Sequence, residues 1–193
     1  MIPLDVRQRL WAWYYGMRAF QHSKACCDHI LKEAMTSDHP LYYSLNVAAH
    51  ISYGKPFRHS RGIQGLDDAI IPARYRRVHQ QILDFRDKHY AHTDVEGNPH
   101  PTGDLSVDVL YCFDGIKRGF KLCETTVLPE GIKNLAPLCE LLAEKATYHL
   151  GKILNQYRKE FPQAIGHHRI GVRPNDLPFT QIPDSEVAGW ELQ

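Results

Sequence analysis

LDFRDKHYAHTD, from Leu83 to Asp94, is the stretch in which a helical apolar stripe runs straight into a cluster of ionisable side chains. At about 100° per residue, Tyr75, Val78, Ile82 and Phe85 share one narrow face. The same count carries that face on to His89 and His92, with Arg86 at its edge. A stripe that starts as core and ends as imidazole leads titratable groups into a packed or interfacial place, where each must be satisfied. That is costly unless it serves something, and it reads the segment as a helix whose end carries chemistry.

The residue types indicate which chemistry. Imidazole titrates near neutral pH and can give and take a proton. Guanidinium stays charged and offers a planar fork that matches phosphate oxygens. Arg86 lies six positions ahead of His92, with Asp87 able to orient one of them, and this is a minimum kit for cleaving a phosphodiester without metal. In RNA the 2′-hydroxyl would be the internal nucleophile, a His the base or acid, and Arg86 the stabiliser of charge at phosphorus. The bland alternative pairs Arg86 with Asp87 or with a carboxylate on another helix. His89 and His92 then simply close a helix end, where the dipole favours them without any catalysis.

The run Arg86-Asp87-Lys88-His89-Tyr90-Ala91-His92 resembles the Arg-to-His signature of HEPN domains, including the polar residue directly after the Arg. The wider phrase FRDKHYAHTD is similar to the version in bacterial HEPN-like proteins related to abortive-infection systems. The resemblance implies a mainly α fold, a HEPN-like helical bundle of about four long helices. It implies pairing as a homodimer that brings two copies of the motif into one RNA-binding cleft. For active members it implies a metal-independent endoribonuclease leaving a 2′,3′-cyclic phosphate. On this chain Arg86, Asp87 and His92 would then be catalytic, and Lys88, His89 and Tyr90 would contact substrate. Toxin or phage-defence work follows, with an antitoxin or regulatory protein to restrain an active copy. Many relatives are non-catalytic, so a dimeric RNA- or protein-binding module is the second expectation.

The bulk properties set the frame. A length of 193 residues suits one domain with a sizeable core, read as a helical domain over 1–161 and an extended Pro-rich C-terminal arm over 162–193. The net charge of +1 provides no global basic field, so RNA contact must come from a local patch such as Arg74, Arg76, Arg77, Arg86 and Lys88. By themselves Arg74, Arg76 and Arg77 read first as a solvated helix face. The five Cys have no CxxC and no ligand spacing, and read as small apolar residues in a reducing compartment. No stretch approaches the roughly 20 apolar residues of a membrane span, and no leader pattern opens the chain. The expectation is a cytoplasmic protein with no membrane partner.

Along the chain, a first helix is predicted from Asp5, as N-cap, to about Ser37. Its stripe is Val6, Leu10, Trp13, Met17, Phe20, Lys24, Cys27, Leu31 and Ala34. A second is predicted over Leu41 to Tyr53, with Leu41, Leu45, Ala48 or Ala49 and Ser52 inward. The link Gly54 to Gly65 carries Lys55, Arg58, His59 and Arg61, and reads first as a solvated loop, with a flexible basic loop near the cleft as the alternative. The motif helix should begin near Ile71 or Pro72, after Asp67 or Asp68 as cap, and run to about His92. A small hairpin is predicted within 105–126, around the turn signal Asp114-Gly115. The last helix should start at Asn134, with Pro137 in its first turn, and last to about Phe161. Beyond Pro162 the prolines and glycines argue against regular structure.

The competing chemistry is a metal site built from His89, His92 and Asp94 with His100 or the His167-His168 pair. There is no HExxH and no Cys ligand set, and twelve His make chance clusters common. Neither GxGxxG nor a P-loop occurs. No metal and no cofactor is expected.

Overall fold

The computed structural model describes residues 1–59, 62–87, 109–113, 118–122 and 129–187. The helices are α1 (Leu4–Lys32), α2 (Tyr42–Gly54), α3 (Arg76–Phe85), α4 (Pro129–Gln156) and a short α5 (Asp184–Val187). Short 3₁₀ turns lie at Lys55–Phe57, Asp68–Ile70 and Ala73–Tyr75. Two antiparallel hairpins pair β1 (Val109–Phe113) with β2 (Arg118–Leu122) and β3 (His167–Ile170) with β4 (Phe179–Ile182). The chain is mainly helical, and the small hairpin expected within 105–126 runs from Val109↔Leu122 to Phe113↔Arg118.

α1 packs chiefly against α4 and α2. Its inner face is small: Ala12, Gly16, Ser23, Cys26 and Cys27 are buried with Phe20 and Ile30. The predicted stripe shares Val6, Phe20 and Cys27 with this seam, but Leu10, Trp13, Met17, Lys24 and Leu31 lie at its margins and Ala34 is exposed. Small residues win the centre because they let neighbouring backbones approach. Ser23 marks that approach. Its Oγ donates to Ala49 O on α2 at 2.8 Å, and Cys139 Sγ on α4 donates to Ser23 Oγ at 3.2 Å. Burial pushes the Cys139 thiol up to about 12, so it stays protonated and able to donate.

Both ends of α1 differ from expectation. Pro3 is the N-cap residue, and Asp5 lies in the first turn, 3.1 Å from Arg9. The helix stops at Lys32 instead of near Ser37 because Ala34 turns left-handed, with φ 46°. Met35 N donates to Ile30 O and Ala34 N to Leu31 O, which is the Schellman closure, and Met35 is buried over it. An alanine in this conformation is strained.

α2 buries Tyr42, Asn46, Ala49 and Tyr53; of the predicted set Ala49 and Ser52 are buried, Leu45 is partly buried and Leu41 is half exposed. Tyrosine wins this face because its ring adds buried area and its hydroxyl finds a partner. Tyr53 OH lies 2.7 Å from His79 Nδ1, and His79 Nε2 lies 3.2 Å from Asp68 Oδ1. The tautomer that suits both neighbours carries its proton on Nε2 and takes the tyrosine hydroxyl proton at Nδ1.

α3 begins at Arg76, later than the predicted start near Ile71 or Pro72, and its predicted end near His92 lies outside the described residues. Ile71 and Pro72 precede the turn Ala73–Tyr75, and Asp67 caps the turn Asp68–Ile70, accepting from Ala69 N at 2.7 Å. The buried face of α3 is His79, Ile82 and Leu83, with Tyr75, Val78 and Phe85 partly buried beside it. α4 begins at Pro129 rather than Asn134, which leaves Pro137 in its interior. Ile132, Leu135 and Ala136 are buried ahead of an exposed Pro137, so burial overrides the missing hydrogen bond of the proline.

The C-terminal segment is not irregular. Its prolines fall outside the strands: Pro162 before β3, Pro174 and Pro178 in the connection, Pro183 after β4. The hairpin pairs His167↔Ile182 through Ile170↔Phe179. It lies against its own α1, where Arg7 Nη1 donates to Gly171 O and Gln8 Nε2 donates to Val172 O at 3.0 Å.

Two outcomes follow for stability. Ala34→Gly should raise it by about 1 kcal/mol in chemical denaturation, by removing the left-handed penalty. An unchanged midpoint would mean that the closure is not formed. The second outcome concerns pH. Burial pushes His50 down to about 4, opposed by its bond to Asn46 O, and pushes His79 down with Asp68 partly opposing. Both are buried neutral, so the unfolded chain binds protons that the folded chain refuses. Stability is therefore full above about pH 6.5 and falls as pH drops towards 4, His50 alone accounting for about 3 kcal/mol. Thermal midpoints across that range should decline, and His50→Leu should flatten the decline; an equally steep fall in that variant would remove His50 as the cause.

Candidate functional site

The site is built where α2, the link after it and α3 meet. α3 ends at Phe85, and Arg86 and Asp87 continue it in π-helical conformation, a local widening often found where a helix carries function. The Arg86 stem lies against Gly54 at the end of α2. A β-carbon there would collide with Arg86 Cδ and come within 3.4 Å of Leu83 Cδ2. Only a residue with no side chain leaves this seat open.

Arg86 is 18 % exposed, and its Nη1 donates to Asp87 Oδ1 at 2.5 Å. The other oxygen of the same carboxylate, Asp87 Oδ2, takes Arg58 Nη2. Asp87 thus lies between two guanidiniums, one mostly buried and one about half exposed. Arg86 Nε is buried without a hydrogen-bond partner among the described residues. Burial, and then the like charge of Arg58, push the Arg86 guanidinium down from its ordinary value, with Tyr15 of α1 acting the other way. An arginine nevertheless remains charged at any physiological pH.

Arg58 is held by its neighbours in sequence. Phe57 packs on Phe20, Tyr53 and His79 with ring centroids 5.7, 5.5 and 4.7 Å away, and Pro56 is buried. Leu66 N donates to Pro56 O at 2.7 Å, and a β-carbon on Gly65 would meet the backbone of Phe57 and Arg58 within 3 Å. The charged side chains of the segment read first as a solvated loop are exposed at Lys55, Arg58 and His59, but its backbone is anchored by the buried Pro56 and the partly buried Phe57; Arg61 lies outside the described residues.

Of the predicted site residues, Arg86 and Asp87 are brought together. Lys88, His89, Tyr90 and His92 lie outside the described residues, as do Asp94 and His100. Arg74, Arg76 and Arg77 are exposed on the first turns of the motif helix, with the Arg74 guanidinium 4.8 Å over the Tyr75 ring. The metal alternative finds no group of three or more His, Cys, Asp or Glu among the described residues. His167 and His168 have other neighbours, Asp184 at 3.5 Å and Ala164 O at 3.2 Å. No helix among the described residues is long and apolar enough to cross a membrane. The sequence reading took Gly54 only as a helix end, did not connect Tyr15 with Arg86, and left Arg58 in a basic loop that could lie near the cleft. A glycine closing a helix just ahead of a Pro-Phe pair was the available signal.

Comparison with protein-family models, with curated proteins and with solved structures finds no match.

Gly54→Ala isolates the seat. The backbone there, φ −78° and ψ −22°, accepts alanine without strain, and helix propensity alone would add about 1 kcal/mol. Displacement of Arg86 should instead make the variant less stable by about 1–3 kcal/mol. A gain in denaturation midpoint would show that Arg86 is not seated on Gly54.

Proposed function

We propose that this chain is a HEPN-like, metal-independent endoribonuclease of the toxin or phage-defence type, working as a homodimer in which two motif copies share one cleft. The observation that supports it is the fixed Arg86, seated on Gly54 and oriented by the adjacent Asp87 at the end of α3. Preorganised cations aimed at developing charge are the largest single contribution to many such reactions.

In this reading the 2′-oxygen of the ribose bonds to phosphorus and the bond from phosphorus to the 5′-oxygen breaks, leaving a 2′,3′-cyclic phosphate. His92 takes the 2′-hydroxyl proton or delivers a proton to the 5′-oxygen, and two copies across a dimer can divide those tasks. Arg86 stabilises the charge that grows on the non-bridging oxygens. Asp87 orients Arg86, while Lys88, His89 and Tyr90 contact the RNA. An active copy would require a restraining antitoxin or regulatory protein.

A second reading has its own support. Asp87 compensates Arg86 internally, and Arg86 is only 18 % exposed. That suits a non-catalytic dimeric module whose cluster is an internal clasp that binds RNA or protein without cutting.

Incubating purified protein with total RNA in EDTA separates the two. The ribonuclease reading expects cyclic-phosphate ends, lost by at least about 100-fold in Arg86→Ala and in His92→Ala at unchanged melting temperature and oligomeric state. Uncut RNA with the parent protein, and lowered melting temperatures in the variants, would leave the clasp.

A further inference from the structure

The second guanidinium on Asp87 belongs to no motif. It comes from the link after α2, about thirty residues before Arg86 in sequence, and the structure presents it already placed. We infer that Arg58 is a second phosphate-binding residue of this site, so that an RNA phosphodiester is received between Arg58 and Arg86 with Asp87 setting the spacing. The inference rests on RNA being the ligand in the reading above, not on its being cut.

Three observations carry it. Arg58 and Arg86 meet opposite oxygens of one carboxylate, so a single anion already spans both guanidiniums. A phosphodiester offers a comparable pair of unesterified oxygens, and guanidinium forks accept carboxylate and phosphate in the same bidentate manner. Two arginines on one aspartate leave a local surplus of one positive charge. That surplus is attractive to a polyanion on a chain whose overall charge is only +1.

The second observation is division of labour. Arg86 is mostly buried, whereas the Arg58 side chain is 47 % exposed and Asp87 38 %. An incoming phosphate therefore reaches Arg58 first and can draw it from Asp87. The carboxylate stays on Arg86, keeping that side chain in its seat. Arg86 Nε, buried and without a partner among the described residues, is a donor still unspent.

The third is preorganisation. The Arg58 backbone is pinned by Phe57 in the aromatic cluster, by the Leu66 N to Pro56 O bond and by the close approach of Gly65. A cation on a pinned segment loses less freedom on binding than one on a loose loop. A solvated surface arginine needs none of these anchors.

The test is equilibrium binding of a single-stranded 2′-O-methyl RNA oligonucleotide, which lacks the nucleophile and cannot be cut, over a range of salt. Arg58→Ala should weaken binding about tenfold at low salt and lower the slope of log affinity against log salt by about 0.7. Arg58→Lys should keep the slope and recover only part of the affinity, since it restores charge without the fork. Asp87→Asn should tighten binding, because it removes the competing carboxylate. Opposite signs for Arg58→Ala and Asp87→Asn support the inference. Shifts of the same sign, which a mere clasp between the two would give, overturn it, as does unchanged binding by Arg58→Ala or no binding by the parent. Melting temperatures of all variants control for folding, which the exposure of Arg58 and Asp87 favours. RNA bound through Arg58 but left uncut would reject the ribonuclease reading alone. Cleavage with unaltered KM in Arg58→Ala would reject this inference alone.

Discussion

The hydroxyl of Ser23 is where the bundle closes. It donates to the α2 backbone at Ala49 and accepts from the Cys139 thiol of α4, so both long neighbours of α1 are drawn to one point on a face of alanine, glycine, serine and cysteine. A larger residue there would separate three helices at once. The hydrogen bonds themselves are worth only about 1 kcal/mol each. Their weight lies in what the close approach permits, namely the burial of Phe20, Tyr42, Tyr53, Leu135 and Leu142 around it.

From that point the position of the site follows by steps. α2, fixed by α1, carries Tyr53 and Gly54 side by side. Tyr53 receives His79 through its hydroxyl, which fixes the rotation of α3, and Asp68 holds the far side of the same imidazole. Lys145 of α4 donates to Ile70 O at 2.7 Å and ties down the turn that carries Asp68. With α3 so oriented, its last turn passes over Gly54, and Arg86 lies in the space that the missing side chain leaves. The placement of one guanidinium thus depends on a tyrosine, a histidine and a glycine that lie outside the ion cluster itself.

Much of this was legible in the sequence, and what was missed has common causes. Periodicity located the four main helices, and Asp114-Gly115 located the hairpin around it. It misplaced part of the buried faces of α1 and α2 because it weighs residues by hydrophobicity, whereas packing selected small residues at Ala12 and Gly16 and aromatic residues with a hydroxyl to satisfy. It started α4 too late because the rule about proline is local, and Ile132 and Leu135 outvote it. It read the C-terminal prolines as breakers when they frame two strands. Within the site, Arg86 and Asp87 were legible because they are adjacent. Arg58 was legible only as one cation of a loop that could lie near the cleft, since nothing in the link itself says that its backbone is held against Gly65 and Leu66.

If RNA is the ligand, as proposed, a chain of net charge +1 has to present its site by local means. A diffuse field cannot supply it, and charges farther apart than about 8–10 Å are screened in cellular salt. What is left is local geometry: two guanidiniums converging on one carboxylate, one of them desolvated so that its interactions are stronger than in water. Under the proposed function such a site would be selective. Its own aspartate already occupies the anion position, so only a ligand that offers several oxygens, or repeats its charge along a strand, competes well with that internal partner. The internal ion pair that would ordinarily argue for a purely structural cluster is, on this view, the device that keeps the two cations apart and ready while admitting a polymer of phosphates over isolated anions.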